Sequence, residues 1–122
     1  MATDFEALEN IYHEPSRLAI MSELCGAGEG MAFAEIKARC NLTDGNLSRH
    51  LQVLQKAGVV KIEKKFVGVK PRTTVFVTKK GKEGFLDYLT ALEKVLVKAA
   101  EMFKQKEIPA GVPRGALKPK GA

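Results

Sequence analysis

Apolar positions recur at helical spacing along most of this chain, and the one stretch where the period changes sets its plan. Phe5, Leu8, Ile11 and Tyr12 predict a short amphipathic helix, opened by the capping-box pattern Thr3-Asp4-Phe5-Glu6. Glu14-Pro15 restarts the pattern, because proline is accommodated where a helix needs no backbone N–H and a carboxylate suits the positive end of its dipole. Leu18, Met21, Leu24 and Cys25 then face inward until Gly26, and the glycines at 26, 28 and 30 predict a loop. Met31 to Phe33 is compatible with one very short strand. A helix follows from Ala34, with Phe33, Ile36 and Cys40 on one side and Glu35, Lys37 and Arg39 on the other. Asn41 stands at its C-terminal turn, where a positive φ is expected, and Leu42 fills the angle to the next helix.

That next helix, residues 43–57, is the best framed of all. Thr43 is a good N-cap, Leu47, Leu51 and Leu54 recur at i, i+4 and i+7, and Gly58 stands where a helix ends in a left-handed residue. The leucines form one stripe, so Gly45, Arg49, Gln52 and Lys56 point away from it with Asn46 and Ser48 on the flanks. His50 lies about 60° from the stripe, as a packed or phosphate-touching histidine. After Gly58 the period drops to 2. Val60, Ile62 and Phe66 alternate with Lys61, Glu63 and Lys65, and Val75 and Val77 alternate with Thr74, Phe76 and Thr78, predicting two strands within residues 59–78. Gly68 to Arg72 is the expected turn. Two strands alone are marginal, so Val60, Ile62 and Val75 are expected to pack on the helices.

Thr78 can cap a last helix over residues 79–104, whose stripe runs through Phe85, Tyr88, Leu89, Leu92, Val95, Leu96, Ala99, Met102 and Phe103. Such a helix spans roughly 39 Å, more than a core of about 75 residues covers. Part of the stripe is left over. Its expected partner is a second copy, with Phe5, Leu8, Tyr12, Leu89, Leu92, Leu96, Ala99 and Phe103 at the interface. One domain over 1–104 and a basic Pro/Gly-rich disordered tail over 105–122 complete the expected organisation.

Charge changes how the polar helix face reads. The 122 residues carry a net +6, but residues 43–82 hold ten Lys/Arg against two Asp/Glu, a local +8, while residues 1–42 are acidic. Basic charge gathered on the best-framed helix and the strands after it fits a polyanion partner. Arg, Asn and Gln pair bidentately with base edges, and Ser and Lys suit bases or phosphates. Cys25 and Cys40 fall within helical patterns, and neither they nor His13 and His50 offer a metal two ligands on one face, so no metal or cofactor is expected. No Ser/His/Asp, Cys/His or paired-carboxylate spacing is legible, and Gly26 to Gly30 lacks the lysine of a phosphate loop. The residues point away from an enzyme. No run is long enough to cross a bilayer, and the acids of MATDFEALEN replace the basic region of a signal peptide, so the expected location is cytoplasmic.

The order helix, helix, helix, hairpin, long helix resembles the winged-helix transcriptional regulators of the MarR and ArsR type. The residues that carry the resemblance run from Phe33 to Phe85, a little under half the chain. They include LTDGNLSRHL, then AG, a basic hairpin with KPRT, and T-x-x-G opening the final helix. The resemblance implies a mainly α fold with a small β-hairpin, a winged helix-turn-helix with a long C-terminal dimerisation helix. It implies a homodimer, a repressor in its simplest form, reading pseudo-palindromic double-stranded DNA. Asn46, Ser48, Arg49 and Gln52 would lie in the major groove, with Lys70 and Arg72 at the wing on the neighbouring minor groove. Thr43, Lys56, Lys64 and Lys65 would meet the backbone. The cysteine pair of the metal-sensing members is missing, as are the extra helices with which larger MarR-type proteins enclose an aromatic ligand; a small-molecule effector of unknown kind is left open. The alternative is a winged-helix adaptor that docks proteins, since fold does not fix function.

Overall fold

The computed structural model describes residues 11–105. The expected helix around Phe5 and Leu8 and the tail from residue 106 lie outside the described residues. Four helices and three strands follow in the order α1 (Pro15–Ala27), β1 (Met31–Ala32), α2 (Phe33–Cys40), α3 (Asp44–Lys56), β2 (Val60–Val67), β3 (Lys70–Val77) and α4 (Lys79–Gln105). This is a winged helix with a long C-terminal helix.

The capping residues act as their chemistry requires. Glu14 is the N-cap of α1, its Oε2 accepting from the Arg17 N–H at 2.9 Å, with Pro15 in the first turn. The helix runs past Gly26 to Ala27, because Gly28 and not Gly26 takes the positive φ, 79°, that closes it. Asn41 is left-handed at φ 54°, turning α2 into α3. Thr43 caps α3, its Oγ1 accepting from the Asn46 N–H at 3.1 Å, and Gly58 follows at φ 78°.

The expected hairpin is larger in the structure. β1 pairs with β3 through Met31↔Val75 and Ala32↔Thr74, so the sheet is three-stranded and antiparallel in the order β1-β3-β2. Two residues are too few for a period to show in the sequence. The turn is smaller than expected: Val67 pairs with Lys70, leaving Gly68-Val69 as a two-residue loop, and Lys70, Pro71 and Arg72 are strand. Gly68 at φ 67° supplies the backbone that matches the twist of the flanking strands. Pro71 is tolerated because β1 reaches only Thr74, leaving β3 there with a free edge.

The core is one cluster in which Ile20, Met21, Leu24, Ile36, Leu47, Leu54 and Val75 are completely enclosed. The start of α4 is tied to the end of α3. Thr78 Oγ1 donates to the Gly58 carbonyl at 2.8 Å and accepts from the Gly81 N–H at 3.0 Å, and Lys80 Nζ donates to the Ala57 carbonyl at 2.9 Å. Tyr12 corrects an expectation: it lies in the core, 6% exposed, with its ring 5.5 Å from that of Phe85 and 5.9 Å from that of Tyr88. Gly84 makes the room, since a Cβ there would stand 2.8 Å from the Tyr12 hydroxyl. The stripe of α4 begins buried at Phe85 and Tyr88 and is half-buried at Leu92 and Val95. It leaves the core altogether at Leu96, Ala99, Met102 and Phe103. Among the described residues no helix is long and apolar enough to cross a membrane.

Candidate nucleic-acid interface

α3 is held from one side only. Leu47, Leu51 and Leu54 are buried, and a fourth contact is His50, 7% exposed and therefore packed. Arg17 Nη1 donates to His50 Nδ1 at 3.2 Å, Glu14 Oε2 stands 3.6 Å from the same nitrogen, and Arg17 Nε donates to the Ile11 carbonyl at 2.6 Å. Burial opposes the Glu14 carboxylate. The backbone N–H groups of Arg17 and Ser16, together with the Arg17 guanidinium, outweigh it and hold the carboxyl below its ordinary value. The start of α1 thus positions the middle of α3. Glu14 and Arg17 went unrecognised in this role at the level of sequence, where nothing marks a contact across 33 residues.

Asn46, Ser48, Arg49, Gln52 and Lys56 are all exposed on α3, but on two sides. At about 100° per residue Ser48, Gln52 and Gln55 share the side towards the wing and Asn46 and Arg49 stand on the open side, with Lys56 between them, beside Gln52 and Gln55. Ser48, Gln52 and Gln55 form one wall of a groove of about 630 Å³, with Ile62, Lys64 and Thr73 opposite. Gln55 is an addition the spacing Ser48, Gln52, Gln55 was able to show. Thr43 keeps its hydroxyl hydrogen as a donor, because the oxygen accepts from Asn46.

The register sorts the wing. Ile62↔Val75, Lys64↔Thr73 and Phe66↔Pro71 share the face that lines the groove, and Lys65↔Arg72 and Val67↔Lys70 share the reverse face. Lys64 therefore faces the groove beside α3, and Lys70 and Arg72 spring from the back of the hairpin near its tip.

Between residues 43 and 78 the only acids are Asp44 and Glu63, and both are engaged elsewhere. Asp44 pairs with Lys37 at 2.9 Å, and Glu63 with Lys61 at 3.3 Å and Lys65 at 3.8 Å. Arg39 is likewise held by Glu35 and Glu23. Arg49, Lys56, Lys64, Lys70 and Arg72 have no carboxylate within 4.0 Å among the described residues. Cys25 and Cys40 are half-buried free thiols that burial pushes up, hence protonated at neutral pH. Among the described residues no group of three His, Cys, Asp or Glu is arranged to hold a metal.

Comparison with known proteins matches residues 16–96 to the winged helix DNA-binding domain family. An uncharacterised protein of Methanocaldococcus jannaschii is 34% identical over 79 residues, 65% of this chain and 85% of its own. The solved structure of a transcriptional regulator homologue from Pyrococcus horikoshii superposes with a TM-score of 0.72 at 33% identity, over 78% of this chain and 94% of that one. A MarR-family regulator from a Rhodococcus species shares the fold at 14% identity, with a TM-score of 0.64 over 92% of this chain and 71% of its own. With α2 and α3 joined by a tight turn, the wing and the long last helix in place, the chain belongs to the winged helix DNA-binding domain family, in the fold of the MarR-type transcriptional regulators.

Proposed function

We propose that the chain is a sequence-specific, double-stranded-DNA-binding transcriptional regulator acting as a homodimer. Residues 43–57 enter the major groove and the wing, residues 59–78, meets the adjacent minor groove. Its output is repression, the mode that needs only occupancy of the site. The observation that carries this reading is the set of cations without acidic partners on α3 and the wing: Arg49, Lys56, Lys64, Lys70 and Arg72. Exposed like charges so gathered repel one another, and a phosphate backbone removes the repulsion while releasing its counterions. Asn46, Ser48, Arg49 and Gln52 are the base-reading residues. Thr43, Lys56, Lys64, Lys65, Lys70 and Arg72 fix register on the backbone.

The test is binding to duplexes selected from fragmented host genomic DNA. Arg49→Ala is expected to cost about 1–3 kcal/mol on the selected site and to relax preference at one base position. Unchanged affinity and preference would remove Arg49 from the recognition set. Footprints of two half-sites about one helical turn apart are expected of a two-fold dimer. A chain that binds no duplex at low salt, yet captures a protein in nuclease-treated extract, would be the docking adaptor instead.

A further inference from the structure

Leaving Val53 aside, the large apolar side chains exposed among the described residues lie in two places. One is α4, where the stripe shares its helix with acids as well as lysines, as suits a second copy. The other is the tip of the wing, where Phe66 is 75% exposed, Val67 60% and Val69 92%. Nothing in the core calls for them. β1 ends at the pair Ala32↔Thr74, so residues 64–73 form a two-stranded projection of about four pairs, roughly 13 Å. Phe66 and Pro71 face each other across that projection on the groove side, with Lys64 between them and the core. Val69 stands at the apex of the turn, and Val67 is opposite Lys70 on the back. Lys64, Lys65, Lys70 and Arg72 ring this apolar tip, and residues 64–73 contain no acid.

An apolar point inside a ring of cations matches a partner that is anionic outside and apolar within. Exposed apolar surface on a small domain marks an interaction site, and the ring selects a polyanion over an apolar protein surface. A duplex has that chemistry, with phosphates lining the minor groove and stacked bases beneath. We propose that the wing tip is a wedge, with Phe66, braced by Pro71, entering the minor groove beside the recognition helix and partly unstacking one base step. The proposal rests on the DNA-binding reading above and adds a source of specificity to it. Pyrimidine–purine steps unstack at least cost, so the wing selects them through deformability, without reading base edges.

The experiment uses the full chain and about 30-base-pair duplexes selected from a random pool, with donor and acceptor dyes at the ends and 2-aminopurine at the step under the wing. Wild type is expected to kink the duplex by about 20–90° and to raise the 2-aminopurine fluorescence. Phe66→Ala is expected to straighten the duplex, abolish the fluorescence rise and weaken binding roughly tenfold, the scale of one base–aromatic contact. Its salt dependence stays that of wild type, because no phosphate contact is lost; Phe66→Trp restores the kink. The exposure of Phe66 means that neither substitution disturbs folding, which a thermal melt checks. Tight binding to a straight duplex, or a kink untouched by Phe66→Ala, overturns the wedge and leaves DNA binding standing. Dissociation of a wild-type oligomer by Phe66→Ala makes the tip a contact between copies and also overturns it. A wild-type chain that binds no duplex sinks the DNA-binding reading and the wedge with it.

Discussion

Gly81 shows how much one residue decides. Replacing glycine by alanine inside a helix ordinarily gains about 0.5–1 kcal/mol, because the unfolded chain loses freedom. At Gly81 the sign reverses. A Cβ there would overlap the Val59 carbonyl oxygen, which accepts the Thr78 N–H at 3.0 Å and belongs to backbone that cannot step aside. Gly81→Ala is expected to destabilise by about 1–3 kcal/mol, read as a lowered melting temperature. A rise would mean that α4 does not approach the Val59 backbone so closely. Glu14 carries a pH dependence. Its folded carboxyl gives up its proton more readily than the unfolded chain's, so its stabilisation is complete above the unfolded value and is lost as pH falls through the folded one. Glu14→Gln, which also weakens the cap of α1, is expected to be less stable than wild type at about pH 7, and the gap should narrow by about pH 3. A gap independent of pH would show that the charge of Glu14 contributes nothing.

At the scale of the element, α4 is a single helix with two jobs along one stripe. Phe85 and Tyr88 close the core together with Tyr12, while Leu96, 59% exposed, and Phe103, 41% exposed, continue the stripe about two turns beyond it. The proposed homodimer is built on that continuation, with Leu89, Leu92 and Ala99 between. Wild type is expected to sediment as a dimer, and joint replacement Leu96→Glu and Phe103→Glu to give a folded monomer at the same concentration, with unchanged helical circular dichroism. A wild-type monomer at high concentration would refute the assignment. The wing shows the complementary lesson. Its strands were legible from the alternation of Val60, Ile62, Val75 and Val77, but the placement of Lys70 and Arg72 was not. Whether the turn holds two residues or five changes which face each side chain takes, and the register that settles it is made by pairing with another strand.

For the whole molecule, the charge map is the quantity that binding reads. Residues 43–82 carry the local +8, and pairing reduces the part that is available: Lys61 and Lys65 share Glu63. Lys56, Lys64, Lys70 and Arg72 are the unpaired backbone candidates of each protomer. If both protomers of the proposed homodimer engage, log K is expected to fall with log salt at a slope of about −7, from roughly −0.9 per neutralised phosphate. Lys64→Ala in both protomers should lessen that slope by about 2, while Lys65→Ala should change it less because Glu63 already answers its charge. Equal effects of the two would show that surface pairing has no bearing on which lysines meet DNA.

What the sequence by itself determined is everything that acts within a turn or two of chain. Caps at Glu14-Pro15, Thr43 and Thr78, left-handed stops at Asn41 and Gly58, the leucine stripe of the recognition helix and the change of period at Val60 are local chemistry, and local chemistry is written in neighbouring residues. The exposed polar set of that helix was legible for the same reason: a stripe defines its opposite face. Only the tertiary structure decided that Tyr12 is core, that β1 adds a third strand, that His50 is clamped by Arg17 and Glu14, and that Gln55 joins Ser48 and Gln52 in the groove. These contacts join residues far apart in the chain, as across the 75 residues between His13 and Tyr88, whose Nδ1 and hydroxyl meet at 2.9 Å. They are selected by which surfaces pack together, and that choice is made by the molecule as a whole.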